Sequence, residues 1–538
     1  MRTCFILILL LTSVQGMAQS RHWVMFTDKG DLSEYEAKDL LSSAALYNRA
    51  RQGLGLDIRD YPIQTDYEQA ILRKDVVFHH RSRWFNAISI TAEPEILASI
   101  EQLPFVRAIQ PVARFIRPAS PLAIDCDTVE YLDSPLRQLG MLGIDDLHRE
   151  GYTGKGVRIA VFDNGYYQVD SIPAFDHVFK HGNMLGQWDF VDQEEDTFDP
   201  CIHCKHGTYV FSIMAAVWPG TMYGGAPDAG YYLFRTENDY SETTQEEDNW
   251  VAAAELADSL GAQIFNTSLG YKDFDNGIGD YTNEDLDGNT AMITIAGDIA
   301  ASKGILVINS AGNGGSRGIN APADGDSILA VGAVDACEEI AYFSSRGPSA
   351  DGRIKPDLSA MGFGNTFVYP DGTTRTGGGT SFSAPLITSL AACLMQKHPE
   401  LTAWEVHQFL IQSADRFDNP NNVYGHGIPH ANRFEQLVSG QHLRNQSYEA
   451  FRSGELIVYP NPASDHIRIA WMAPVSPASY SVELLDASGR RIALDLETFS
   501  DSEWQIMLPL HLPTGWYIIR MIHADFPEVV YQRKIQIQ

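Results

Sequence analysis

The chain has 538 residues, a formal net charge of −30 and six cysteines. That length exceeds what one hydrophobic core supports, so several domains are expected. Such an excess of negative charge argues against a nucleic-acid-binding protein.

The acidity is local: residues 126–440 hold 44 Asp and Glu against 17 Lys and Arg, whereas residues 20–125 are balanced at 14 against 13. The first residues read as a secretory signal over 1–18. Arg2 supplies the positive start, Phe5 to Leu11 the apolar run, and Gly16-Met17-Ala18 the small residues for cleavage. That run is far short of the ~20 residues a membrane-spanning helix needs, and no later segment reaches it. A secreted, extracellular or cell-surface protein with no transmembrane segment is therefore expected.

Residues 20–125 read as a small α+β unit. Trp23 to Phe26 and Phe85 to Ile90 have strand character, and Leu40 to Arg51 and Pro94 to Gln102 helix character. A stretch dense in Pro, Ser and Asp, from about Arg114 to Pro135, follows as a linker.

Residues 130–440 alternate strand-like and helix-like runs, the pattern of an α/β fold whose parallel sheet is covered on both faces. Val157 to Phe162, Ile264 to Asn266, Ile305 to Asn309 and Ile328 to Val334 are short and apolar, and Trp250 to Leu260 is amphipathic at helical spacing, ending at Gly261. An open parallel sheet binds ligands at the carboxyl ends of its strands. Asp163, Ser268-Leu269-Gly270 and Ser310-Ala311-Gly312-Asn313 all follow such ends. Beyond about Gly440, short alternating strands such as Ile467 to Ala470, Tyr480 to Leu485 and Tyr517 to Arg520 predict a β-sandwich over 456–538.

Three segments carry chemistry. Asp163 closes a buried strand, where a carboxylate is costly unless a neighbour such as an imidazole donates to it. His206 opens His-Gly-Thr at a helix start, and Ser381 follows Gly377-Gly378-Gly379-Thr380 at the head of an apolar helix, Phe382 to Met395. A serine hydroxyl is a weak nucleophile until an imidazole takes its proton and a carboxylate orients that imidazole. A helix start adds backbone N–H groups and a positive dipole end for a developing oxyanion.

The order Asp…His…Ser is the subtilisin order. With Gly379-Thr380-Ser381-Phe382-Ser383-Ala384-Pro385 and Ser310-Ala311-Gly312-Asn313-Gly314, the chain resembles the subtilisin-like serine peptidases (subtilases) over roughly 140–430. The resemblance implies a secreted serine endopeptidase whose triad is Asp163, His206 and Ser381. It implies Asn313 as the side-chain donor to the oxyanion. Ser268, Leu269, Gly270, Ala311 and Gly312 would line the pocket for the side chain before the scissile bond. Phe343 to Pro348 and Gly352 to Asp357 match framework motifs of the family. Asn164, Tyr209 and Ser212 depart from its usual residues.

The run Phe105 to Val112 is similar to the end of subtilase inhibitory propeptides, which implies that 20–125 is a propeptide and 130–440 the catalytic domain. Tyr459-Pro460-Asn461-Pro462-Ala463, Asp486-Ala487-Ser488-Gly489-Arg490 and Leu512-Pro513-Thr514-Gly515-Trp516-Tyr517 resemble the C-terminal sorting domain of type IX secretion. The implied partners are a protein or peptide substrate and the type IX machinery, with the enzyme a monomer.

No cofactor is required by this chemistry and no metal is assigned. Asp285-Leu286-Asp287-Gly288-Asn289 reads either as a structural calcium loop or as a solvated turn. Cys201 and Cys204, beside His203, lack the second ligand pair of a zinc site, so a local disulfide is the favoured reading. Cys393 falls within the apolar helix as a buried thiol.

Overall fold

The computed structural model describes residues 21–445 apart from 113, 116–136, 200, 239–241 and 273–279, together with the strands and some adjoining residues between 457 and 537. Residues 1–18, nearly all of the linker from Arg114 to Pro135 and the Tyr459-to-Ala463 motif beyond its tyrosine lie outside the described residues. The chain divides into two compact units, 1–437 and 438–538.

The N-terminal part of the first unit is a four-stranded antiparallel sheet in the order Val77–Ser82, Ala87–Thr91, Arg21–Phe26, Val106–Val112. Apolar residues from its inner strands, Val24, Phe26, Ile88 and Ile90, pack with Ile71 and Ile100 from the helices Thr65–Leu72 and Pro94–Glu101. The strand expected from Phe85 begins only at Ala87, because Asn86 turns the chain with φ 51°. Helix Thr65–Leu72 and strand Val77–Ser82 were not anticipated. In this strand His80 and Ser82 are polar because they meet Asn249 and Glu255 of the neighbouring domain.

The larger part holds a seven-stranded parallel sheet in the order Leu358–Met361, Ile328–Val334, Leu306–Ser310, Ile264–Thr267, Arg158–Asp163, Gly230–Arg235, Met184–Asp189. The strand carrying Asp163 lies inside the sheet and ends at that residue. Gly230–Arg235 is wholly buried although it contains two tyrosines and an arginine. Its polar atoms are satisfied: Tyr231 Oη donates to Ala226 O (2.7 Å) and Arg235 Nη1 to Asp189 Oδ2 (2.6 Å). That satisfaction allows a strand which does not read as apolar to be fully buried one place in from the sheet edge. Helix Thr380–Lys397 is buried from Thr380 through Met395, so Cys393 is an inert thiol whose pKa burial drives upward.

The small sheet docks on the helix Thr244–Leu260. Arg21 Nη1 meets Asp248 Oδ2 at 2.7 Å, and Arg49 and Arg83 both reach Asp258, at 2.7 and 2.9 Å. Glu255 accepts from Ser82 Oγ (2.5 Å), Arg83 N (2.9 Å) and Trp84 N (3.1 Å). Part of the excess acidity of 126–440 is thus matched by bases of the smaller domain. Beyond this sheet, Arg114–Phe115 pairs antiparallel with the short strand Glu242–Thr243.

The second unit contains two four-stranded antiparallel sheets. Ile467 and Ile506 from one share an apolar cluster with Leu484, Ile519 and Ile535 from the other. The C-terminal part is β-rich, as expected.

Candidate active site

Asp163 is fully buried at the carboxyl end of its strand. Its Oδ1 accepts from Asn164 N at 2.8 Å and from His206 Nδ1 at 2.7 Å. Beside it the Tyr166 hydroxyl donates to Val161 O (2.7 Å), and burial raises its pKa well above the usual phenol value.

His206 is the first residue of the helix His206–Ala215. Close approach of that helix to the Asp163 turn requires Gly207, since a Cβ there would lie 2.4 Å from Gly165 O and 3.0 Å from Asp163 Cβ. Asn164 accepts from Gly207 N through its Oδ1 (3.3 Å), satisfying one of the free N–H groups of the helix start. One departure from the family pattern thus caps the helix that carries the imidazole. Cys201 and Cys204 form the expected disulfide, and Cys204 O accepts from Tyr167 N (3.2 Å), tying the loop before His206 to the loop after Asp163. His206, rather than His203, is the histidine that reaches the aspartate.

Ser381 sits in the first turn of Thr380–Lys397, whose N-cap is Gly379, so the serine is not itself the cap. Pro385 lacks the N–H that would bond Ser381 O four residues back. Ser268 Oγ fills that vacancy, donating to Ser381 O at 3.0 Å, while Ser381 Oγ donates to Ser268 O at 3.2 Å. The serine is only 8% exposed. The ring of the next residue, Phe382, stacks near the His206 ring with centroids 6.4 Å apart. The hydroxyl of Ser381 thus points to Ser268 in this state.

Asn313 is braced from the same turn. Its Oδ1 accepts from Thr380 N (2.9 Å) and Thr380 Oγ1 (3.0 Å), and Thr380 Oγ1 accepts in turn from Gly312 N (3.2 Å). With the oxygen committed to Thr380, the amide nitrogen of this exposed residue is left for the cleft. Ser345 Oγ accepts from Gly314 N (3.0 Å), so one framework motif props the Asn313 loop. The other anchors Lys355, whose buried Nζ donates to Gly325 O, Ile328 O and Asp357 Oδ2.

Tyr209 and Ser212, the other departures, fasten the hairpin Phe363–Val368/Thr374–Gly378. Tyr209 packs on Phe367 and Tyr369, and Ser212 Oγ accepts from Val368 N (2.9 Å). The second strand of that hairpin runs directly into Gly379. The sequence reading missed Glu255 as an acceptor for the N-terminal domain; its one signal was an acidic residue on the apolar-patterned run Trp250 to Leu260.

In the Asp285–Asn289 loop the carboxylates are engaged within the loop itself. Asp285 Oδ2 accepts from Thr282 N, and Asp287 Oδ1 from Asn289 N, so this loop's carboxylates cap their own turns. Among the described residues one group of acids converges, Asp189, Asp192 and Glu194, and there Arg235 Nη1 already lies 2.6 and 2.5 Å from Asp189 and Asp192.

Residues 154–427 match the subtilase family, 21–121 match a peptidase S8 propeptide domain of Bacteroidota, and 457–538 match a secretion system C-terminal sorting domain. Subtilisin E of Bacillus subtilis is 26% identical over 410 residues, covering 73% of this chain and 95% of its own. Subtilisin of Bacillus pumilus is 30% identical over 288 residues, 52% of this chain and 92% of that one. Membrane-bound transcription factor site-1 protease of Mus musculus is 32% identical over 311 residues, 55% of this chain and 27% of its own.

Proposed function

The chain belongs to the subtilase family of serine endopeptidases, with a family propeptide and a type IX sorting domain that marks it as secreted or cell-surface, and from that premise we propose that it cleaves peptide bonds through Asp163, His206 and Ser381 by way of an acyl-enzyme. The observation that carries this reading is the 2.7 Å bond from His206 Nδ1 to a buried carboxylate, beside the helix turn that presents Ser381.

Ser381 Oγ attacks the scissile carbonyl carbon as His206 Nε2 takes its proton, and Asp163 steadies the imidazolium. The carbonyl oxygen, now an anion, accepts from Asn313 Nδ2 and from a backbone N–H of the helix start. His206 returns the proton to the leaving amine, and water then repeats the sequence on the acyl-enzyme. No cofactor or metal enters a step, and one copy of the chain contains every group. Among the described residues no helix is long and apolar enough to cross a membrane.

The polypeptide substrate lies antiparallel to Glu242–Thr243 on its acyl side, as Arg114–Phe115 does in the uncut chain. Residues 1–18 are removed as a signal peptide, 20–125 inhibit until cut away, 130–440 do the chemistry and 456–538 direct export.

Incubating the secreted protein with casein and with a fluorophosphonate probe, beside Ser381→Ala, tests this. Proteolysis and labelling are expected only when Ser381 is present. Labelling without proteolysis would point to an esterase, and no labelling of the processed enzyme would point to a fold retained for binding.

A further inference from the structure

Resting on the acyl-enzyme reading above, we infer that Asn320 closes the pocket for the side chain before the cut bond and makes this enzyme selective for short residues there. By the subtilase resemblance, the side chain of the acyl residue enters between Ser268-Leu269-Gly270 and Ala311-Gly312. Both walls end in a glycine, and both glycines face the same side chain. A Cβ on Gly270 would stand 3.0 Å from Asn320 Cβ, and a Cβ on Gly312 would stand 3.1 Å from Asn320 Cγ.

Asn320 is fixed in that place from both sides. Its N–H donates to Ala311 O (3.3 Å), and its Nδ2 donates to Gly270 O (3.3 Å). The next residue, Ala321, exchanges two backbone bonds with Tyr271, at 2.8 and 2.9 Å. A half-buried carboxamide locked across the space between two strand ends shortens the slot they form. Its Oδ1, turned toward Gly312, stays available as an acceptor at the bottom.

Alanine and serine fit such a pocket, serine with a donor for Oδ1. A phenylalanine ring would have to displace the carboxamide from its bond to Gly270 O. Volume mismatches of a methylene in a closed pocket change kcat/KM by about 10–200-fold, so the wild-type preference for Ala or Ser over Phe should lie in or above that range.

The test measures kcat/KM of the mature enzyme on peptide anilides that differ only in Ala, Ser or Phe before the cut bond, with active sites counted by fluorophosphonate. Asn320→Gly should raise the Phe-to-Ala ratio about 100-fold, and Asn320→Ala by less, with the count of active sites unchanged. A wild-type digest of denatured proteins, read by mass spectrometry, needs no variant and should show cuts after Ala and Ser. A wild-type preference for aromatic residues, or a ratio unmoved in both variants, would overturn the role of Asn320. Loss of fluorophosphonate labelling in the wild type would instead remove the acyl-enzyme on which it stands.

Discussion

Replacing Glu255 by alanine should loosen the N-terminal domain from the catalytic domain without touching the chemistry. In the docked state the Glu255 carboxylate accepts from Ser82 Oγ, Arg83 N and Trp84 N, and burial raises its pKa against the pull of Arg83. Truncation leaves two backbone N–H groups in the interface without an acceptor. Each such group costs about 1–3 kcal/mol, so docking should weaken by roughly 2–6 kcal/mol. At about 1.4 kcal/mol per tenfold, that is a rise in inhibition constant of about 30-fold to 10⁴-fold. The assay titrates mature enzyme, wild type or Glu255→Ala, with separately prepared residues 21–115, so the inhibitor is identical in both arms. Hydrolysis without inhibitor should be unchanged, and the exposed Lys180→Ala should leave both quantities alone. An inhibition constant that moves less than about fivefold, with hydrolysis intact, would refute the role given to Glu255.

Asn313→Ala should lower kcat by about 10²–10³-fold yet leave activity above that of Ser381→Ala, as measured by burst and steady-state kinetics on one anilide. Gly207→Ala puts a methyl 2.4 Å from Gly165 O; the His206 helix must then retreat from Asp163, and kcat should fall about 100-fold with little change in KM. Acid should destabilise the fold between about pH 6.5 and 4, because burial lowers His407 to about 4. The unfolded chain takes up this proton as pH falls through that window and the folded chain does not, so up to about 3 kcal/mol present above pH 6.5 is lost by pH 4. In His407→Gln the acid limb of a pH series of melting temperatures should flatten.

The domain sequence was legible because periodicity and turn residues are local properties. The apolar runs at Val157, Ile264, Leu306 and Ile328 are strands of the central sheet, and the residues after them gather at one edge. Gly230–Arg235 was not legible, since a strand with two tyrosines and an arginine is buried only because Ala226 O and Asp189 happen to stand opposite. Strand Val77–Ser82 escaped for the same reason, its polar half being matched by Asn249 and Glu255 far along the chain.

Residue type and spacing by themselves determined the chemistry on offer: a carboxylate at a strand end, an imidazole and a hydroxyl at helix starts, and small residues that let backbones close in. Those features are written in contiguous residues and need no partner to be recognised. Which way the groups face was decided only in three dimensions. Asn313 presents its nitrogen because Thr380 holds its oxygen, Ser268 occupies the bond that Pro385 leaves open, and Asn320 bridges Ala311 and Gly270. Each of these includes a bond between residues separated by between 50 and 113 positions, and a hydrogen bond depends on distance and angle in space, quantities that no local pattern of residues encodes.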